Sequence, residues 1–140
     1  MLIKGNTFSD QRGRLRFVND FSFEGVKRFY VITHPNTDVI RAWQGHNKET
    51  KYFFVVKGAF ILNWIHVDNW KQPSKRLEIN STILNENDSE ILIIQPGYVN
   101  GFKALDIDST LIVFSDKTLE ESKEDDFRFP MKYWEFKFQK

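Results

Sequence analysis

The chain has 140 residues, no cysteine and a net charge of +1, with 20 Lys and Arg set against 19 Asp and Glu. That length fits one domain able to bury a core without staples, so residues 1–140 read as a single unit. The balanced charge gives no general pull toward nucleic acid or an acidic membrane, and the missing thiols exclude disulfides, thiolate catalysis and sulfur-ligated metal.

In chain order, residues 1–5 carry no long apolar region, so no signal peptide is expected there. The longest apolar runs, residues 53–56 and 91–94, are far too short to span a bilayer, and a soluble, cytoplasmic protein is expected. Turn signals recur about every ten residues, from Asp10-Gln11-Arg12-Gly13 to Pro96-Gly97, and the runs between them are rich in Phe, Val, Ile, Tyr and Trp. This spacing predicts an all-β fold, a jelly-roll barrel, with strands over 15–19, 28–33, 39–43, 51–57, 59–67, 75–84, 89–95, 101–104 and 110–116. Within 59–67 the period of two is blurred, which predicts contact on both faces, whereas Arg76-Leu77-Glu78-Ile79-Asn80 alternates cleanly. Residues 117–126 are acidic without an apolar period and read as a loop or short helical turn. Residues 127–138, interrupted by Pro130, read as a tail packed across the barrel wall as an edge strand or short helix.

Two polar interruptions locate the chemistry. Arg41, Gln44, His46 and Lys51 enter a predicted buried strand pair, and Gln95 to Phe102 forms a second break about fifty residues later. Polar side chains on an apolar face must be hydrogen-bonded or serve a ligand, so the pair of breaks predicts a polar pocket inside the barrel. Of the three histidines, His34 precedes a proline in a turn and His66 sits in an aromatic strand, and both read as structural. Around His46, the oxygens of Gln44, Glu49 and Asn100 make a poor transition-metal set, so neither metal nor cofactor is expected. There is no Gly-x-Ser-x-Gly elbow and no phosphate-binding glycine loop. The acidic run 120–126 reads as a solvated face. General acid–base chemistry is what remains: His46 titrates near neutrality, and Lys51, on one face with Glu49 if the strand has already begun, would stabilise charge developing during proton abstraction α to a carbonyl.

Asp10-Gln11-Arg12-Gly13, Val26 to Tyr30, Arg41-x-x-x-x-His46, Lys51 to Gly58 and Pro96-Gly97-Tyr98-x-x-Gly101-Phe102 occur in an order that resembles the cupin-fold sugar-nucleotide enzymes: the dTDP-4-dehydrorhamnose 3,5-epimerases and the dTDP-4-keto-6-deoxyglucose 3,4-ketoisomerases. The resemblance implies a single-domain cupin jelly roll, a nucleotide-sugar ligand and a homodimer, in which residues 2–8 would pair across the subunit boundary. It implies that Arg41 pairs with a diphosphate, that Lys51 sits near the sugar carbonyl and that His46 shuttles the proton. Gln44 would orient a hydroxyl, Glu49 would contribute to binding, and Tyr98 and Asn100 would line the opposite wall. The chain departs from the pattern at Gln44 and Asn100, where the relatives carry histidine, and near Thr118 and Leu119, where the epimerases carry a tyrosine. Three readings stay open on the sequence: an isomerase or epimerase of a nucleotide-linked 4-keto-6-deoxy sugar, a catalytically inactive cupin that binds a sugar nucleotide or glycan in polysaccharide biosynthesis, and an interaction protein whose cupin shape is incidental.

Overall fold

A computed structural model describes residues 1–139 of the chain. The elements are β1 (Leu2–Lys4), β2 (Asn6–Asp10), β3 (Gly13–Phe17), β4 (Arg28–Thr33), β5 (Ile40–His46), β6 (Lys51–Lys57), β7 (Ala59–His66), β8 (Asn80–Asn85), β9 (Glu90–Ile94), β10 (Tyr98–Ala104), β11 (Thr110–Ser115), α1 (Leu119–Lys123) and β12 (Phe127–Arg128). Two five-stranded sheets, ordered β1-β9-β6-β11-β4 and β12-β5-β10-β7-β8, face each other, and β2 and β3 form a separate hairpin. All the pairings are antiparallel. The predicted all-β jelly roll is what the chain adopts, as two facing sheets rather than a hydrogen-bonded closed cylinder.

Side-chain alternation builds two apolar layers. Ile32, Phe53, Val55, Phe60, Leu62, Leu84, Leu92, Phe102, Leu111 and Val113 fill the space between the sheets. Trp43, Ile61, Ile65 and Val99 point the other way and are covered by Trp134 and Phe136 of the C-terminal tail. Strand β7 is therefore buried on both faces, which is why its sequence shows no clean period of two. The tail is tied down by named bonds: the Trp134 indole donates to the Ser74 carbonyl at 2.9 Å, and the Trp43 indole donates to the Met131 carbonyl at 3.1 Å.

Several boundaries differ from the sequence reading, among them the strand expected over 15–19, which runs over Gly13–Phe17. Strand β5 runs through His46 rather than ending at Trp43, and β10 begins at Tyr98 rather than Gly101. The polar residues that looked like interruptions are thus strand residues. The predicted strand over 75–84 begins only at Asn80. Leu77 and Ile79 alternate because they pack into the outer layer under the tail, not because they belong to a ladder. The N-terminal segment divides: β1 pairs with β9 of its own chain, Leu2 opposite Leu92, and stands at the end of that sheet, while β2 pairs with β3.

Candidate active site

Strand β5 supplies one wall of the site through an irregularity. Against β10 the register runs Gln44 opposite Asn100 and Ala42 opposite Gly101, which leaves Trp43 as an extra residue. A bulge shifts the alternation by one position. Arg41 and Gln44, three residues apart, consequently both line the interior cavity, while the Trp43 side chain lies buried in the outer layer under the tail. Two glycines allow the close approach this needs. A Cβ on Gly101 would lie 2.7 Å from the Ala42 Cβ, and one on Gly45 would lie 2.6 Å from Val99 and 2.7 Å from the Trp70 ring.

The facing sheet supplies the other wall. Tyr30 on β4 and Lys51 at the start of β6 point inward, and β10, the neighbour of β5 in its own sheet, adds Asn100 and Phe102. One cavity of about 240 Å³ is lined by these side chains together with Arg41, Gln44, Arg128 and Phe129. A second, of about 280 Å³, shares Tyr30, Arg41, Gln44, Lys51 and Arg128 with the first and adds Arg28, His46, Ser122 and Asp126. The two adjoin and form one polar, mainly cationic hollow at the end of the apolar core.

Hydrogen bonds fix its geometry. Lys51 Nζ donates to Gln44 Oε1 at 3.1 Å, bridging the two sheets. Gln44 Nε2 donates to Asp126 Oδ1 at 3.0 Å, and Arg128 Nε donates to the same carboxylate at 3.1 Å. The Gln44 amide is thereby oriented at both ends. Burial lowers the Lys51 pKa from 10.5 to about 8, with Glu49 opposing the shift and Arg28 adding to it. Burial, with the Glu49 charge, pushes the Tyr30 phenol up to about 12, so it stays protonated at neutral pH.

His46 is 4% exposed, and its Nδ1 lies 2.5 Å from the Asp125 carbonyl oxygen. That contact places the proton on Nδ1 and leaves Nε2, which is buried without a hydrogen-bond partner, as the free base. Burial first, then the Lys51 charge, lowers the imidazole pKa, so the ring is neutral at pH 7. The Asp125 carboxylate accepts from the backbone N–H groups of Asn47, Lys48 and Glu49 at 2.7, 2.8 and 2.9 Å. One residue therefore anchors both the imidazole and the turn that leads into Lys51.

The sequence-predicted residues divide as follows. Arg41, Gln44, His46, Lys51 and Asn100 come together around the hollow. Tyr98 does not line it: its ring packs on His66 at 5.0 Å and borders a different cavity with Met1, Trp64 and Gln95. Glu49 precedes β6 in the turn, is 1% exposed and lines neither part of the hollow. The acidic run is not a uniformly solvated face, because Ser122 and Asp125 are buried and Asp126 holds Gln44. Tyr30, Arg28, Asp125, Asp126 and Arg128 were missed as site residues. The available signal was alternation in Arg28-Phe29-Tyr30-Val31-Ile32, which puts Arg28 and Tyr30 on the same face as the core residue Ile32. Among the described residues no three His, Cys, Asp or Glu side chains converge as a metal site would need, and no helix is long and apolar enough to cross a membrane.

The two-sheet jelly roll is the fold of solved nucleotide-sugar epimerases and 3,4-ketoisomerases, the group that the sequence motifs resemble. No family model matches the chain. A dTDP-4-dehydrorhamnose 3,5-epimerase from Sulfolobus tokodaii superposes with a TM-score of 0.75 and 26% identity over 99% of this chain and 81% of its own. The 3,4-ketoisomerase QdtA from Thermoanaerobacterium thermosaccharolyticum, solved in complex with TDP, shares the fold at a TM-score of 0.72 and 24% identity over 95% and 90% of the two chains. In sequence, the chain is 27% identical over 128 residues to the "Probable low-salt glycan biosynthesis epimerase Agl13" of Haloferax volcanii, covering 87% of this chain and 80% of the relative.

Proposed function

We propose that the protein is an isomerase or epimerase of a nucleotide-linked 4-keto-6-deoxy sugar and that it works by proton transfer α to the carbonyl. The observation that carries this reading is the buried, unpartnered Nε2 of His46 on the same hollow as the Lys51 ammonium. A neutral imidazole beside a fixed cation is the pair that enolisation needs: one group removes a C–H proton and the other stabilises the oxygen that gains charge. Arg41 and Arg128 at the rim suit the diphosphate, whose oxygens match a guanidinium fork.

A single imidazole favours the 3,4-ketoisomerase form of the reaction. His46 takes the C3 proton to give an enediolate that Lys51 faces, the hydroxyl proton passes from O3 to O4, and His46 returns its proton at C4, so the carbonyl moves from C4 to C3 with no net change in composition. Gln44 cannot act as a base, but its amide, locked between Lys51 and Asp126, keeps the ammonium in place. Epimerisation would require an acid on the opposite face, and Tyr30 is the protonated group available there.

The test is incubation with dTDP-4-keto-6-deoxyglucose in deuterated water, followed by proton NMR. Deuterium at C4 of a 3-keto product and at C3 of recovered substrate is expected, with C5 unexchanged; exchange at C5 would indicate the epimerase form. Binding of dTDP with no exchange at either carbon would overturn catalysis and favour the inert binder. His46→Ala is expected to slow exchange by about 10²–10⁴-fold.

We also infer a homodimer. Phe29, Val31 and Val56 stand exposed on the outer face of the sheet containing β4, β11 and β6, and Phe54 and Ile112 continue that apolar surface between them. A contiguous apolar sheet face of this kind suits a second copy of itself.

A further inference from the structure

We propose that Glu49 is a positioning residue that acts through His46, setting the basicity of the imidazole from behind the site. The inference rests on the reading of His46 as the base. Glu49 does not line the hollow, and its side chain is fully buried. Oε1 accepts a hydrogen bond from the Ser122 hydroxyl and lies 3.8 Å from His46 Nδ1. Oε2 has no hydrogen-bond partner and lies 3.9 Å from the Arg28 guanidinium, which donates to the same Ser122 hydroxyl at 3.0 Å. A carboxylate without access to water is retained only where charges or dipoles compensate it. Here the compensating groups are Arg28 at all times and His46 when it is protonated.

The charge inventory around the imidazole explains why such a group is needed. Arg28, Arg41, Lys51, Lys123 and Arg128 all border the cavity that His46 faces. Each cation disfavours a protonated imidazole, which is the species that follows proton abstraction. The opposing groups are Asp126 on the cavity side and, behind the ring, Glu49 and Asp125, while Tyr30 is neutral. The Asp125 carboxylate is already occupied by three backbone donors. Glu49 therefore has the position to stabilise the imidazolium, with Oε1 3.8 Å from Nδ1, without competing with it for the substrate. Ser122 and Arg28 hold that carboxylate on the Nδ1 side of the ring.

The experiment is a pH titration of the His46 ring followed by nitrogen-15 NMR in the full chain, with the signal assigned by its loss in His46→Gln. In Glu49→Gln, which keeps the shape and removes the charge, the His46 midpoint is expected to fall by about one pH unit or more relative to the unsubstituted protein. The acidic limb of the exchange rate should shift by the same amount, with kcat reduced and KM held. An unmoved His46 midpoint overturns the proposal. Loss of activity in Glu49→Gln with the midpoint unchanged also overturns it, because Glu49 would then be only structural. The titrations use no substrate, so their failure is distinct from failure of the unsubstituted protein to exchange deuterium.

Discussion

Lys51 is held in a state that its own solvation opposes. The ammonium lies in the space between two sheets, and the fall in its pKa from 10.5 to about 8 corresponds to roughly 3 kcal/mol against the charged form. Between those two values the unfolded chain binds more protons than the folded one, so this group makes the protein more stable as pH rises from about 8 to about 10.5; below that window the full penalty applies. Lys51→Met should therefore raise the unfolding midpoint at pH 7. About 1–2 kcal/mol of the gain is offset by leaving the Gln44 amide oxygen without its donor. Calorimetry checks the stability, and deuterium exchange should be lost in the same variant. The same pKa sets the alkaline limb of activity: the rate should fall above about pH 8 as Lys51 loses its proton, and Lys51→Arg should remove that limb. The acidic limb belongs to His46, whose lowered pKa places its loss of basicity below the ordinary imidazole range.

At the scale of the elements, the tail is as much a part of the sheet's burial as the facing sheet is. Trp134 is 2% exposed and meets Trp43 edge to face at 5.8 Å. Trp134→Ala is expected to cost about 3–5 kcal/mol, measured by urea unfolding. Gly45→Val should cost about 1–3 kcal/mol, because the new side chain meets Val99 and Trp70 at overlap distance. These elements also show what could be read in advance. Strands β4, β6, β7, β9 and β11 were legible because their inward positions are apolar and their ends carry turn residues. The polar stretches of β5 and β10 were not, because Gln44, His46 and Asn100 stand where propensity expects apolar side chains. Lys51 was found because it opens an apolar run. Asp125 and Ser122 were hidden in a charge run whose composition is that of a solvated surface, and only tertiary contact distinguishes a buried carboxylate from its exposed neighbours. Glu49 was found for its type and misplaced in role, since alternation assumes a strand that starts two residues later.

For the molecule as a whole, the two sheets differ in what covers their outer faces. One is sealed by the tail. The other is only partly shielded by Phe21 and Phe23, which pack on Phe114, and leaves Phe29 64% and Val31 55% exposed. If that face joins two copies, Val31→Glu should halve the mass measured by light scattering and leave the sheet intact by circular dichroism; an unchanged mass would exclude the face as the interface.

The additional residue in β5 makes strand length, rather than any single side chain, the most vulnerable coordinate of the site. Point substitutions alter one partner at a time. Removing one residue beside Trp43 would invert the facing of everything on the Arg41 side of it, turning the guanidinium toward the tail while His46 stayed put. Lineages that keep this chemistry should therefore tolerate changes of residue type along the strand far better than insertions or deletions within it.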